Sequence, residues 1–226
     1  MYMLDLNSTA PILKMPDLSA SEQEVVAHVQ QRIEMLFTEF PAPSHGQGHA
    51  TRVANNAYRI STGDGAHPFL PVLCGLLHDI GRAREFNGKN PEKKRHHALS
   101  YEMLQEWFQE DTVLAGSLNT DQKLELLYGL KYHYNDFADA HYSAITLRDA
   151  DKLDAFGQIG LARGLYFCQE TGMSMTTNIR YLYQFAYWLR SKSARAIFDD
   201  EKLIEPITAY YKEELEKQIT PVTLLP

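Results

Sequence analysis

A histidine and an aspartate stand side by side at the end of the most apolar stretch of the chain. His78 and Asp79 come late in the run 68–81, whose other residues are apolar or small. An ionisable pair is costly to bury without compensation. Imidazole nitrogen and carboxylate oxygen both coordinate Zn, Mn, Fe, Co or Ni, and a cation favours the deprotonated form of each. The pair therefore indicates a metal site, although a lone His-Asp dipeptide is also compatible with a structural or helix-capping role.

Two further candidate ligands lie on other predicted helices. His49 shares a helix face with Val53 and Ala57, so its side chain should point inward. Asp151 lies in the segment 149–154, where three aspartates would repel one another unless a cation or a basic partner is close. The alternative is a solvated acidic helix face, but the apolar, small-residue run after this segment favours close packing.

Three segments together resemble the signature stretches of the HD superfamily of metal-dependent phosphohydrolases. They are Ser-His-Gly-Gln-Gly-His-Ala-Thr-Arg-Val at 44–53, Leu-Leu-His-Asp-Ile-Gly-Arg at 76–82 and Asp-Ala-Asp-Lys-Leu-Asp at 149–154. The resemblance covers about residues 44–165, and the three segments in this order are specific although each alone is not. It implies a divalent metal (Mn, Fe, Mg, Zn, Co or Ni) held by His49, His78, Asp79 and Asp151.

Two more histidines bear on the number of metal ions. His97, in the segment 95–100, resembles a histidine of the binuclear members of the superfamily, and His133 resembles their fifth ligand. The resemblance thus implies one ion and allows a second. The alternative is that His97 caps or packs a helix start and that His133 is a buried polar residue with its own partner.

Basic residues close to these ligands predict a phosphate-binding function. Arg82 and Lys152 each follow an expected ligand closely, and we assign them, with Asp79, to catalysis. Arg52 follows His49 and is a candidate for binding the substrate, with a surface ion pair as the alternative. A guanidinium matches phosphate oxygens as a fork, and an ammonium acts as a point charge.

A loop histidine and a basic loop supply two further candidates for contact with the substrate. His45 lies four residues before His49 between glycine-rich neighbours, so it could line the pocket or transfer a proton. Arg95 is the last member of a basic cluster whose other interpretation is a solvated loop. The cluster consists of Lys89, Lys93, Lys94 and Arg95.

The elements that must position these residues are helices. A capping-box pattern at Ser21 and Glu24 opens the first predicted helix. Apolar residues at helical spacing predict others around His49, over 68–81, from about His97, from Thr120, over 143 to about 167, and twice in the tail, where Pro206 opens or kinks a helix. The aromatic segment 181–188 is interpreted as core rather than as a base-stacking platform. We predict an all-α fold, a single globular HD-domain-like helical bundle over residues 21–226 that follows an N-terminal extension, 1–20.

Composition limits the possible partners and compartments. The 226 residues have a formal net charge of −7, which argues against stable nucleic-acid binding but allows a small anionic, phosphate-containing substrate. The two cysteines, Cys74 and Cys168, indicate no disulfide framework and fit a reducing cytoplasm. No stretch approaches the roughly 20 apolar residues of a membrane span. The oligomeric state stays open.

The leading hypothesis is a metal-dependent phosphohydrolase acting on a small phosphate ester, a nucleotide or a phosphodiester, by attack of metal-activated water. Arg82 stands where some members of the superfamily carry a catalytic glutamate, and no Gly-Tyr-Pro follows His133, so specificity for cyclic dinucleotides is not supported. One alternative is a diiron HD-type oxygenase, which needs redox-active iron. The other is a regulatory HD domain that binds metal without catalysis, against which the complete ligand set counts.

Overall fold

The computed structural model describes residue 12 and the ranges 14–42 and 44–218. Within these ranges every regular element is a helix, so the predicted all-α fold is confirmed. The helices are α1 (Ala20–Glu39), α2 (Gln47–Gly63), α3 (Phe69–Leu77), α4 (Arg82–Phe86), α5 (His96–Glu110), α6 (Thr112–Gly116), α7 (Thr120–Tyr132), α8 (Tyr142–Asp154), α9 (Gly157–Thr171), α10 (Met175–Tyr187), α11 (Lys192–Asp200) and α12 (Glu205–Gln218).

Helix α1 begins two residues earlier than its sequence pattern predicts. The capping box is formed by Ser19 and Glu22: the Ser19 hydroxyl accepts from the Glu22 amide at 3.3 Å, and the Ser19 amide donates to the Glu22 carboxylate at 2.8 Å. The box predicted at Ser21 and Glu24 is therefore wrong. Met15 and Leu18 lie in the main apolar core, so packing begins within the segment predicted as an extension, of which residues 1–11 and 13 lie outside the described ranges.

Helix α3 is the buried centre of the fold and packs against α1, α2, α7 and α8. A Cβ atom added at Gly75 would lie 2.7 Å from the backbone of Ala54, so only a glycine allows α2 and α3 to approach this closely. The helix ends at Leu77 rather than at the predicted Gly81, and residues 78–81 form a tight turn before α4. The close helix pair therefore holds the start of α2 next to the turn that follows α3.

The predicted helix over 143–167 is two helices in the structure. Helix α8 ends at Asp154, and Gly157 adopts a left-handed backbone with φ of +68° while its amide donates to the Leu203 carbonyl at 2.9 Å. The break redirects α9, which covers a second, smaller apolar core together with α10 and α12. Pro206 lies in the first turn of α12, so it opens a new helix, as one of the two predicted outcomes.

The aromatic segment 181–188 is not core, contrary to the interpretation from its spacing. Ile179 and Leu182 are the buried members of α10, because this helix packs only one face against the second core. Its aromatic side chains are exposed by a third or more of their surface: Tyr181, Tyr183, Phe185 and Tyr187. No helix in the described part of the chain combines the length and apolar character needed to cross a membrane.

Candidate metal centre

Four of the predicted ligands converge where the start of α2 meets the turn after α3. His49 Nε2 lies 3.1 Å from His78 Nε2 and 3.8 Å from an oxygen of Asp79. Asp151, from α8, brings a carboxylate oxygen within 3.4 Å of His49 Nε2 and 3.9 Å of His78 Nε2. His49, His78 and Asp79 are almost completely buried. The atoms are thus close enough for one ion to be shared by groups from three segments of the chain.

The protonation of the two histidines follows from what their other ring nitrogens contact. His78 Nδ1 lies 2.8 Å from the carbonyl of Gly75, which can only accept, so this nitrogen carries the proton. His49 Nδ1 lies 2.7 Å from Asp154 and donates to its carboxylate in the same way. Burial lowers the pKa of His49, which favours the neutral ring. When both rings are neutral, the two Nε2 atoms present lone pairs to each other, which a cation would stabilise.

A second group of ligand atoms gathers around the other oxygen of Asp79. Asp79 Oδ1 lies 3.4 Å from His96 Nε2 and 3.9 Å from His133 Nε2, and these two nitrogens are 3.2 Å apart. His133 Nδ1 donates to the Leu130 carbonyl at 2.8 Å, so its Nε2 is also a lone pair when the ring is neutral. Burial lowers the pKa of His133 to about 4 and that of His96 to about 3.

The sequence prediction placed His97 in this second group, and the structure puts its neighbour His96 there instead. Helix α5 begins at His96, and consecutive helical side chains point about 100° apart, so only one of the two can face Asp79. The ring of His97 packs on Tyr134, with 4.2 Å between ring centroids. The prediction of His97 in this group is therefore replaced by His96, whereas His133 lies next to Asp79, as the sequence predicted.

The donor set fits a divalent cation. Asp79 Oδ1 is buried and accepts no hydrogen bond from any described residue. Burial alone would raise the pKa of Asp79, but His78 and Arg82 hold it well below its usual range, so the carboxylate is charged. Two nitrogen ligands of one ion at about 2.1 Å each lie roughly 3.0–3.4 Å apart, depending on the coordination geometry, and the separations of both histidine pairs, 3.1 and 3.2 Å, fall in this range. Both groups, His49–His78–Asp79 and Asp79–His96–His133, can therefore hold a metal ion, and they share Asp79.

A buried ion cluster around Asp154 contacts His49 at Nδ1, the ring nitrogen that faces away from His78. The Asp154 carboxylate accepts from His49, from Arg52 Nε at 2.6 Å and Nη2 at 3.1 Å, and from Arg163 Nη1. Burial would raise the pKa of Asp154, but Arg163 and the His49 hydrogen bond keep it below its usual range. Arg52 therefore holds Asp154 and does not line the cavity at the metal centre, so the structure gives it a positioning role rather than the predicted contact with substrate.

The three aspartates of α8 point to three different partners, which explains how they coexist. Asp149 accepts from the backbone amides of Arg190 and Ser191, at 3.0 and 2.7 Å. Asp151 faces the histidines, and Asp154 faces the two arginines. Sequence reasoning gave a function only to Asp151. The signal for Asp154 was present in its spacing, since residues three apart on a helix lie on neighbouring faces.

A cavity of about 410 Å³ opens beside both groups of ligands. The polar part of its wall includes Arg82, Lys152 and His45, three of the predicted catalytic and substrate-binding residues. Arg82 Nε lies 3.5 Å from Asp79 and donates no hydrogen bond to a described residue. Arg95 is exposed at the start of α5 and does not line this cavity among the described residues, which agrees with the solvated-loop interpretation of the basic cluster.

The remainder of the cavity wall consists of side chains to which the sequence analysis assigned no role, most of them apolar or aromatic. Helices α9 and α10 and the segment between them supply apolar and aromatic side chains: Phe167, Met173, Tyr181, Leu182 and Phe185. Asn178 and Arg148 also line it. His45 Nδ1 lies 2.9 Å from the Ser44 hydroxyl, and burial lowers the pKa of His45 well below its usual value, so the ring is neutral.

These features define a helical protein with a His/Asp metal centre at the wall of a mixed polar and aromatic cavity. Residues 47–155 match the family described as HD domain. The matched segment, 109 of the 226 residues, contains His49, His78, Asp79 and Asp151, so this part of the chain is identified as an HD domain.

Comparison with solved structures supports the same fold. The chain is similar to Bacillus subtilis YpgQ in complex with ADP, with a TM-score of 0.65 and 17% identity over 89% of this chain and 98% of that one. It is also similar to a predicted HD superfamily hydrolase from an uncultured Thermotogales bacterium (TM-score 0.61, 18% identity, 85% and 92% covered). The Lin1889 protein of Listeria innocua is similar with a TM-score of 0.59 and 16% identity over 91% of this chain and 99% of that one. No curated protein sequence matches the chain.

Proposed function

We propose that the protein is a metal-dependent phosphohydrolase of a small phosphate ester, with a nucleotide as the preferred class of substrate. The observation that carries the proposal is the cavity, whose wall joins the candidate ligands Asp151, His96 and His133 to cations and to an aromatic surface. A metal centre alone would suit several reactions. Cations beside it suit a reaction that builds negative charge on phosphoryl oxygens.

The residues that we propose to hold the metal are His49, His78, Asp79 and Asp151, with His96 and His133 available for a second ion. A divalent ion bound there would lower the pKa of a water molecule and polarise a phosphoryl oxygen. The protein's own contribution is to fix the tautomer and orientation of these imidazoles, through the Gly75 carbonyl for His78 and Asp154 for His49.

Arg82 is the cation best placed to contact a phosphoryl group near Asp79. Its Nη1 is held by Glu85 at 2.6 Å, while its buried Nε has no hydrogen-bond acceptor among the described residues. An anchored guanidinium with an unused donor is suited to bind an oxygen of the substrate. The neutral ring of His45, in the same wall, is available to accept a proton or to orient the leaving group.

The aromatic wall favours a nucleotide over a sugar phosphate. Flat rings such as Tyr181 and Phe185 suit a nucleobase, which has two apolar faces, better than a polyol. The crystal structure of B. subtilis YpgQ, which shares the fold, contains ADP. Both points support this class of substrate without distinguishing one base from another.

The test is a phosphate-release assay on protein stripped with a chelator and reloaded with Mn, Zn, Mg or Fe. Nucleoside mono-, di- and triphosphates, a sugar phosphate and an aryl phosphodiester serve as substrates. We expect Arg82→Ala to lower turnover by about 10²-fold with unchanged metal content. Arg84→Ala is the matched control, because Arg84 lies on the same short helix but pairs with exposed Glu106. Wild-type turnover in Arg82→Ala, or oxygen consumption by the iron form without release of phosphate, would contradict the proposal.

A further inference from the structure

Arg148 is a buried arginine whose Nε atom has no hydrogen-bond acceptor among the described residues. Its side chain is 1% exposed, and Nη1 donates to the Ala138 carbonyl at 2.6 Å while Nη2 pairs with Asp139. Its Nε donates no hydrogen bond to any described residue, although the residue lines the cavity at the metal centre. A buried charged group that lacks an acceptor is unfavourable. The free donor therefore indicates a place where an acceptor atom binds.

Lys152 supplies a second cation at the same place. It lies four residues after Arg148 on α8, so the two side chains share one helix face, and both line the cavity. The Lys152 side chain is 9% exposed, and its ammonium pairs with a carboxylate oxygen of Asp136. The same oxygen lies 4.0 Å from Arg148 Nε, too far for a hydrogen bond.

The three groups differ in how firmly the fold holds them. Arg148 and Lys152 belong to the buried helix α8, which packs against α2, α3 and α7. Asp136 lies in the segment that joins α7 to α8, and its side chain is 29% exposed. In that segment Tyr134 and Phe137 are exposed by 60% and 76%. Of the three side chains, that of Asp136 is therefore the one that can move out of the cluster without disturbing the core.

We propose that Arg148 and Lys152 form an anion subsite for a phosphate group, and that Asp136 occupies this subsite until a phosphate displaces it. That this phosphate is part of a substrate rests on the proposed function. A phosphate offers oxygens in several directions and can accept from both cations, whereas the Asp136 carboxylate accepts a hydrogen bond from Lys152 but none from Arg148 Nε. Replacing the carboxylate therefore supplies the hydrogen bond that Arg148 Nε lacks.

Removal of the Asp136 carboxylate from the subsite should strengthen the binding of phosphate. In metal-free protein, titrated calorimetrically with inorganic phosphate, Asp136→Asn should bind phosphate about tenfold more tightly or better than wild type, the scale of one hydrogen bond to a charged group. Adding Lys152→Met to this variant should abolish the gain.

Asp139→Asn is the matched control. Asp139 lies in the same segment and pairs with Arg148, but it does not line the cavity among the described residues. Its replacement removes the same charge without vacating the subsite, so phosphate affinity should stay within about twofold of wild type. Equal gains in both variants, or no gain in Asp136→Asn, would overturn the proposal. If Asp136→Asn fails to fold, Asp136→Ser takes its place, with Asp136→Glu expected to compete with phosphate as wild type does.

The outcome is separable from that of the proposed function. Tighter phosphate binding by Asp136→Asn in a protein that hydrolyses no ester would leave the subsite standing and remove the phosphohydrolase assignment. Hydrolysis of nucleotides together with equal phosphate binding by the Asp136 and Asp139 variants would do the reverse.

Discussion

Replacing Asp154 tests whether the buried ion cluster supports the metal centre. In Asp154→Asn one oxygen and the negative charge are lost, and the new amide group faces donors rather than acceptors. His49 Nδ1 loses its charged acceptor at 2.7 Å, so its ring is free to turn or to change tautomer. Loss of such a partner of a ligand histidine typically weakens metal binding by about 10–100-fold. That range corresponds to about 1.4–2.7 kcal/mol.

The same substitution should also destabilise the metal-free fold. Arg52 and Arg163, whose side chains are 11% and 10% exposed, would lose their shared counter-ion. Breaking a buried ion pair from one side costs about 3–5 kcal/mol. At roughly 2–4 °C per kcal/mol for a chain of this length, the melting temperature should fall by roughly 6–20 °C. Metal added at a fixed concentration should restore less stability than in wild type, because the gain depends on affinity.

Asp149→Asn is the control that separates the two effects. Asp149 is equally buried on the same helix but accepts from backbone amides of the segment between α10 and α11. Its replacement should lower the melting temperature and leave metal affinity unchanged. The assay is a Mn or Zn titration with chelator competition, followed by thermal unfolding with and without metal. The reasoning fails if Asp154→Asn binds metal within threefold of wild type, or if both variants lose affinity alike.

Two other predictions concern the second ligand group and the dependence of stability on pH. His96→Ala should lower the metal stoichiometry by one ion, whereas His97→Ala should not, because it is a ring nitrogen of His96 that lies 3.4 Å from Asp79. Elemental analysis of manganese-loaded protein measures the stoichiometry, and an equal value in both variants would contradict the prediction. Asp111→Asn should lower the free energy of unfolding at pH 7 by about 1–2 kcal/mol, because the charged oxygen that accepts from His28 and Arg32 is lost. The oxygen of an asparagine can still cap α6, so the capping hydrogen bond is kept. Burial would raise the pKa of Asp111 but the Leu114 amide and His28 lower it, so its contribution is complete above the unfolded-state value of about 3.9 and is lost as the pH falls through the folded-state pKa. Urea titrations at pH 7, 5 and 3 should therefore show the difference from wild type shrinking only at the lowest pH, with exposed Asp200→Asn as the control.

The convergence of three candidate ligands could be predicted, because the resemblance names them and helical spacing indicates which residues point inward. His49, His78 and Asp151 lie on different elements, yet each element's buried face could be deduced from its own sequence. His96 could not be distinguished from His97, since the choice depends on the first residue of α5, and a shift of one residue rotates the face by about 100°.

Long-range contacts account for most of what the sequence did not reveal. Arg52 meets Asp154 across 102 positions of the chain, and no local pattern reports that pairing. The break between α8 and α9 depends on the left-handed Gly157, a conformation that glycine permits but does not require. The aromatic side chains of α10 line a cavity because this helix meets the core along one narrow face, which the spacing alone did not indicate.

His78 and His133 each serve as the residue that directly follows a helix and donate to a carbonyl of its last turn, from Gly75 and Leu130. Those carbonyls have no partner within their own helix. Because the acceptor is backbone, no side-chain substitution at Gly75 or Leu130 can remove it. Fraying of either helix end would, however, release the ring that faces the metal. Metal binding should consequently slow hydrogen–deuterium exchange in the final turns of α3 and α7, far more than at the end of α1, whose last turn contains no candidate ligand.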